Sequence, residues 1–304
     1  GRGEKGNVKI LNIGSLNIDK TYTVKRFVQP KETIRALKYE EFCGGKGLNQ
    51  STALAKAEAE IYHAGAVGKD GKVLVDMLNG AGACTEYIKW VDDVSGHAVI
   101  QLDETGQNNI IIVGGANERI EKEDICSILE KFEAGDIVLL QNEITNVDFA
   151  IEEAKRRGML VAFNPSPINE MIDRCDLKQV DYFILNEVEG RALAEIDSEE
   201  PEAIKEALKA KFPDASFVLT LGEKGSVFFN KEEAFYQNSF KVDAVDTTGA
   251  GDTFCGYFLA GVARGNRYED CLKEASAASA IAVTRKGAAA GIPERKEVLK
   301  FLRQ

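Results

Sequence analysis

The sequence predicts an α/β fold in which a mostly parallel sheet lies between two layers of helices and carries a small additional β-sheet. Three observations point there. From residue 60 onward, strand-like and helix-like runs alternate, the pattern of parallel strands joined by crossover helices. The turn Asp246-Thr247-Thr248-Gly249-Ala250-Gly251-Asp252 opens a helix whose apolar positions Phe254, Phe258 and Leu259 recur at helical spacing. Two pairs of β-branched and aromatic segments, 20–28 with 33–42 and 96–103 with 108–113, are not separated by helices, so they predict an antiparallel excursion from the main sheet.

Val8 to Gly14 is a short apolar run ending in Gly-Ser, which reads as a buried strand and a turn. Asn17 and Asp19 follow at its carboxyl end, where open α/β sheets bind ligands, although Asn-x-Asp is also ordinary turn chemistry. Cys43-Gly44-Gly45-Lys46-Gly47-Leu48-Asn49-Gln50 leads into an alanine-rich helix over 51–59. It is not a P-loop, because Gly47 follows Lys46 where Ser or Thr should stand. On its residues alone it is a glycine-rich strand-to-helix turn.

Ile61 to Val67 predicts a strand followed by a helix over 70–81, and 136–140 a strand followed by a helix over 147–157. Further strands are expected at 160–163 and 182–185, with Glu104-Thr105-Gly106 as the turn inside the second antiparallel pair. Glu143 falls just beyond strand 136–140, a ligand-facing position. Asn164-Pro165-Ser166-Pro167 reads as a rigid structural turn. Asn186 is a credible helix N-cap, with Glu189 completing a capping box. Phe217 to Leu221 forms a strand, Gly222-Glu223-Lys224-Gly225 turns it, and Ser226 to Phe229 returns. Ala280 to Ala288 ends a long alanine-rich helix at a glycine stop.

The composition excludes several functions. With 49 acidic and 38 basic residues in 304, the net charge of -11 opposes a polyanionic partner, and no basic cluster offsets it, so nucleic acid is not expected. The 6 cysteines are scattered without a C-x-x-C pair, most of them in apolar surroundings, and read as reduced, buried thiols of a cytoplasmic protein. No apolar run approaches the roughly 18 residues of a membrane span, and Gly1 to Gly6 lacks an apolar signal region. His63 and His97 are too few for His-based hydrolysis or His-rich metal chemistry, and His63, inside a strand-like run, reads as structural. No linker, low-complexity segment or repeat divides the chain. We therefore expect one domain over 1–304, with the extra sheet built from about 18–42 and 96–114.

The 246–252 turn carries the chemistry. A glycine-lined helix start points free N–H groups forward, and the helix dipole adds to their attraction for an anion such as a phosphoryl group. Asp252 in the first turn has two readings: it complements the dipole, or it is a base placed where an alcohol and a phosphoryl group meet. The glycine pair and flanking threonines favour the base.

Asp246 to Gly256 resembles the signature of the ribokinase (PfkB) family of sugar kinases, and further motifs follow the family's order from Gly14 to about Pro293. The resemblance implies a ribokinase-like three-layer sandwich whose extra sheet is a lid, and a homodimer formed through that lid. It implies that Asp252 is the catalytic base and that the amides of Gly249, Ala250 and Gly251 stabilise the transferred phosphoryl. It assigns the sugar to Asn17, Asp19, Gly45, Lys46, Gly47, Asn49 and Glu143 together with Asp252. The nucleotide falls to Asn186, Thr220, Gly222, Gly225, Gly251 and Ser276, the last replacing a histidine that some members place beside adenine. Glu189 would act on Mg²⁺ through water. A K⁺ ion would be held at Asp246, Thr248, Ala282, Arg285, Gly287 and Gly291, where Gly291 replaces a serine often seen.

The expected reaction is ATP-dependent phosphorylation of the 5-hydroxyl of D-ribose. The alternatives are another pentose such as 2-deoxyribose, a hexose or a nucleoside as acceptor, or a sugar sensor without catalysis. Intact Asp252 and Gly-Ala-Gly speak against the sensor. A dinucleotide fold is disfavoured because Phe254 stands where a third glycine should fall.

Overall fold

A computed structural model describes residues 8–304, so the expectation for Gly1 to Gly6 lies outside the described residues. In the main sheet, β1 (Ile10–Ile13) runs parallel to β4 (Ile61–Val67) on one side and β8 (Ile137–Leu140) on the other. The chain first winds outward through β4 to β5 (Cys84–Trp90). It then returns to β8 and winds the opposite way through β9 (Leu160–Phe163), β10 (Tyr182–Asn186) and β11 (Ser216–Thr220), all parallel. Two antiparallel strands, β12 (Ser226–Phe229) and β13 (Ala234–Gln237), close that edge and complete nine strands. The reversal at β1 and β8 is a switch point, and the crevice beyond the strand ends there is where such sheets bind ligands.

Both faces of the sheet are covered because each strand alternates its side chains between them. Ile137 and Leu139 enter one core, Val138 and Leu140 the other. The first core receives α1 (Lys46–Lys56), α2 (Lys72–Ala81), α7 (Ala250–Ala263), α8 (Tyr268–Val283) and α9 (Arg295–Leu302), through residues such as Leu48, Leu78, Phe258, Leu272 and Val298. The second receives α3 (Lys122–Leu129), α4 (Val147–Arg156), α5 (Glu187–Ala194) and α6 (Pro201–Lys211), through Ile125, Ile151, Leu193 and Leu208. Full burial of Phe258 alone is worth about 1.5–3 kcal/mol. This is the three-layer α/β architecture the sequence predicts.

The second sheet has four strands in the order β3-β2-β6-β7. They are β2 (Asn17–Thr23), β3 (Lys38–Gly44), β6 (Gly96–Leu102) and β7 (Asn108–Val113). The outer pairings are antiparallel, but β2 and β6 at the centre run parallel, from Asn17 opposite Gly96 to Thr23 opposite Leu102. The expectation of a wholly antiparallel excursion is corrected: both inner strands leave the main sheet in the same direction. Residues 24–37, expected to be largely strand, form the connection instead.

Two further boundaries differ from expectation. Strand β5 was not foreseen because Cys84–Trp90 carries Lys and Glu among its apolar positions, as an exposed edge strand can. Helix α1 begins at Lys46 rather than 51, so Gly47 and Asn49 are helical. A glycine reads as a helix breaker. Here it is required, because a Cβ on Gly47 would lie 2.4 Å from Ser15 N.

Candidate active site

Gly249, the N-cap of α7, has φ 78°, and a Cβ there would lie 2.9 Å from Ala288 Cβ, so the turn needs glycine. The Ala250 N–H donates to Thr247 O at 3.2 Å, whereas the amides of Gly249 and Gly251 find no acceptor among the described residues. In front of Gly251 the space is open. Of the three amides in the turn, those of Gly249 and Gly251 are thus free to meet an incoming acceptor, while that of Ala250 is engaged.

Helix α7 reaches α1 because Gly256 has no side chain: a Cβ there would lie 2.4 Å from Ala53 Cβ. This close crossing brings Asp252, 7% exposed, onto two amides of α1. Asn49 Nδ2 donates to Asp252 Oδ2 at 3.1 Å and Gln50 Nε2 to Oδ1 at 3.0 Å. Burial pushes the Asp252 carboxyl up, while Lys46 and the two amide donors pull it back toward the charged form. Asn49 Oδ1 is buried without a hydrogen-bond partner among the described residues, an unusual state for a buried acceptor.

At the switch point, Ser15 follows β1 and Glu143 follows β8, and Ser15 Oγ donates to Glu143 Oε1 at 2.7 Å. The same oxygen accepts from Lys46 N at 2.8 Å, so the carboxylate sits at the N-terminus of α1. Asp19 lies on β2, on the same strand face as Asn17, which removes the plain-turn reading of that pair. Its carboxylate lies against the backbone at Gly44, where a Cβ would be 2.3 Å from Oδ2. Burial, and then the nearby Glu143 charge, raise Asp19 to about 6. Asn17 Oδ1 accepts from Asn117 Nδ2 at 2.7 Å, and Asn117 Oδ1 accepts from Leu16 N at 3.1 Å.

A cleft of about 210 Å³ joins Lys46 and Asp252 to the carboxyl ends of the far strands. It is lined by Lys46, Asp252, Gly249, Gly251, Asn186, Glu189 and Thr220 among others. Asn186 and Glu189 form the expected capping box, Asn186 Oδ1 accepting from Glu189 N at 2.8 Å and Glu189 Oε1 from Asn186 N at 3.1 Å. Burial raises the Glu189 carboxyl, against the Asn186 amide and the Lys46 charge. Thr220 Oγ1 donates to Leu185 O at 3.2 Å. Gly222 (φ 61°) and Gly225 (φ 97°) make the next turn but do not line the cleft. Ser276 is buried within α8, also outside the lining.

Asp246 ties the segments expected to hold a monovalent cation. Its Oδ1 accepts from Thr248 N at 2.9 Å and its Oδ2 from Gly287 N at 3.0 Å. Partial burial works to raise the Asp246 carboxyl, but these bonds and Lys286 outweigh it and the net shift is downward. Around the Cβ position of Gly291 lie the carbonyl oxygens of Ala282 at 3.5 Å and Lys286 at 3.6 Å. Carbonyl oxygens of this kind are ligands of the type hard cations take. Among the described residues, no group of three or more His, Cys, Asp or Glu side chains is placed to hold a metal ion.

The model of the pfkB family of carbohydrate kinases matches residues 7–295. The chain belongs to that family. It is 32% identical over 299 residues to the ribokinase of Haemophilus influenzae, covering 95% of this chain and 97% of that protein. The deoxyribokinase of Salmonella typhi is 30% identical, with 95% and 97% covered. The structure of Arabidopsis thaliana ribokinase complexed with ribose and ATP superposes with a TM-score of 0.89 at 32% identity, covering 98% of this chain and 100% of that one. Like other pfkB kinases, this chain is a sugar phosphotransferase by family.

Gly249, Gly251, Asp252, Asn49 and Lys46 come together in or beside the cleft, while Asp19, Glu143 and Asn17 gather at the switch point. Sequence reasoning missed Ser15, Gln50, Asn117 and Gln141. Ser15 stands inside the Gly-Ser-x-Asn-x-Asp pattern and was findable. The three amides carry no spacing signal.

Proposed function

We propose that the protein transfers the terminal phosphoryl group of ATP to the 5-hydroxyl of D-ribose, giving D-ribose 5-phosphate and ADP. The carrying observation is the contact of Asn49 and Gln50 with Asp252, which sets a buried carboxylate between the sugar-side residues and the glycine-lined helix start. Asp252 accepts the proton of the hydroxyl as the new O–P bond forms and the bond to the ADP oxygen breaks, ADP leaving with that electron pair. In a loose transition state the alcohol becomes acidic late, so a carboxylate that burial raises and that Lys46 and two amides pull back toward the charged form suffices. The Gly249 and Gly251 amides face the charge on the transferred group, and Lys46 adds a cation beside them.

On the sugar side, Asp19 and Glu143 offer acceptors to a vicinal diol, and Asn49 Oδ1 accepts a further hydroxyl. Asn186 and Thr220, which line the cleft, carry the nucleotide side in this reading, and the 222–225 turn would extend it beyond that lining. Glu189 suits a hydrated Mg²⁺, which would neutralise phosphate charge when bound, and the carbonyls near Gly291 suit K⁺. We further propose that 8–304 works as one domain and that the second sheet is a lid. Tyr22, Tyr39, Phe42, Ile110, Ile111 and Ile112 on that sheet are exposed, and a second copy of the chain is their proposed cover in a homodimer. The six cysteines are unpaired, which suits a reducing, cytoplasmic setting, but only Cys255 and Cys271 are buried as expected; Cys43, Cys84, Cys126 and Cys175 are half-buried.

The similarity to a deoxyribokinase keeps 2-deoxyribose as the second acceptor. ADP production measured with ribose, 2-deoxyribose, fructose and adenosine, each with and without K⁺, separates these. Ribose is expected to give the highest kcat/KM, and absence of ADP with retained ribose binding would leave only a sensor.

A further inference from the structure

We infer that Gln50 is a positioning residue for Asp252, its amide locked in one orientation by a buried hydrogen-bond series that begins at His63. This rests on the reading of Asp252 as the base.

The direction of every bond in the series follows from carbonyls, which can only accept. His63, wholly buried on β4, places Nε2 3.1 Å from Gly14 O and Nδ1 2.7 Å from Ser51 Oγ. Nε2 must therefore carry the proton, Nδ1 is bare, and the Ser51 hydroxyl donates to it. Ser51 Oγ in turn accepts from Asn12 Nδ2 at 2.8 Å, and the second hydrogen of that amide goes to Gly47 O at 2.9 Å. Asn12 Oδ1 is thus fixed as an acceptor for Gln141 Nε2 at 3.0 Å, whose other hydrogen goes to Gln50 Oε1 at 2.7 Å. Gln50 Nε2 is left facing Asp252 Oδ1 at 3.0 Å and Asn164 Oδ1 at 3.1 Å. Asn164 cannot flip either, because its Nδ2 is held by Ile184 O at 2.9 Å.

Turning Gln50 over would set its oxygen against the Asp252 carboxylate and its NH₂ against that of Gln141. Gln50 and Gln141 are each 1% exposed, so no water relieves that mismatch. Burial lowers His63 to about 4, against the Gly14 hydrogen bond, so the imidazole stays neutral and the series keeps its direction at physiological pH. The charged and titratable groups facing Asp252 are Lys46 from α1, Glu189 from α5 and the neutral Cys255 thiol of its own helix. None of them fixes the rotation of the carboxylate. The paired amides of Asn49 and Gln50 do, and only that of Gln50 is itself locked from behind.

The test compares Gln50→Glu, Gln50→Met, Gln141→Met and the double Met variant with the parent enzyme, under saturating ribose and ATP. Gln50→Glu, nearly isosteric, replaces the donor with an acceptor beside Asp252. It is expected to lower kcat about 10–100-fold at neutral pH, with KM for ribose changed less than about threefold, and to move the acidic limb of the kcat–pH profile upward. Gln141→Met frees Gln50 to flip and is expected to lower kcat by a smaller factor, while the double variant is expected to be no slower than Gln50→Met alone. A merely structural series would instead lower the melting temperature and leave kcat and its pH limb in place, which would overturn the inference. If the Gln50 variants do not fold, Gln141→Met decides alone: an unchanged kcat in the folded variant rejects the inference. Asp252→Asn in the same assay separates the two readings. Normal turnover there removes the base, whereas an inactive Asp252→Asn beside fully active Gln50 variants removes only the positioning role.

Discussion

Asn49 Nδ2 lies 3.1 Å from Asp252 Oδ2, so the amino-terminal turn of one helix grips the amino-terminal turn of another across 203 residues of chain. On the proposed reading, a side chain that faces the sugar thereby also helps to hold the group that takes the sugar's proton.

That contact depends on Gly256. Gly256→Val would push a side chain into Ala53 and Leu54 N, which lie 2.4 and 2.9 Å from the Cβ position. Overpacking of this kind destabilises by about 1–3 kcal/mol. As α1 and α7 separate, kcat is expected to fall more than ribose KM rises, measured by thermal unfolding and steady-state kinetics together. A stable variant with parental kcat would contradict the packing argument.

Asp19 gives a pH dependence of known sign. Its carboxyl is raised from 3.8 to about 6 in the folded chain, first by burial and then by Glu143. Its contribution to stability is thus fully present below about 4 and is lost as pH rises through about 6. Asp19→Asn is expected to flatten that part of the stability curve and to raise the melting temperature at pH 7. Ribose KM in the parent enzyme is expected to rise as pH falls through about 6, where the acceptor is lost. In Asp19→Asn, KM is expected to be about 10–100-fold higher, the range for a hydrogen bond to a charged group. A parental stability curve in the variant would contradict the shift.

The proposed cation site is tested through Asp246. Asp246→Ala releases the N–H groups of Thr248 and Gly287, and with them the register of the 282–291 loop. Stimulation of turnover by K⁺ is expected to disappear. Equal stimulation in variant and parent would place the cation elsewhere.

The face of the small sheet that carries Tyr22, Tyr39 and Ile111 supplies the fourth expectation. Ile111 is 64% exposed on β7, so Ile111→Lys leaves the monomer's core intact. Sedimentation is expected to show a dimer for the parent chain and a monomer for the variant. A monomeric parent would remove the proposed homodimer.

Legibility in the sequence followed distance along the chain. The 246–252 turn and the Gly44 to Asn49 run were readable because a glycine turn, the acid or amide after it and the helix it opens are neighbours in sequence. The alternation of strands and helices gave the layered sheet for the same reason. The parallel pairing of β2 with β6 was not readable, since it sets Asn17 opposite Gly96. Gln50, Gln141 and Asn12 likewise look like ordinary polar residues until folding stacks β1, β8 and α1. Start positions misled where glycine served contact rather than flexibility, as Gly47 does under Ser15.

The central claim is that Asp252 receives the proton of the acceptor hydroxyl at the head of α7. It is tested most directly by kcat of Asp252→Asn at saturating ribose and ATP, with ribose affinity measured alongside by calorimetry. Loss of a general base is expected to lower kcat about 10²–10⁴-fold while ribose affinity stays within a few-fold of the parent's. Turnover near the parental rate in a folded variant would contradict it.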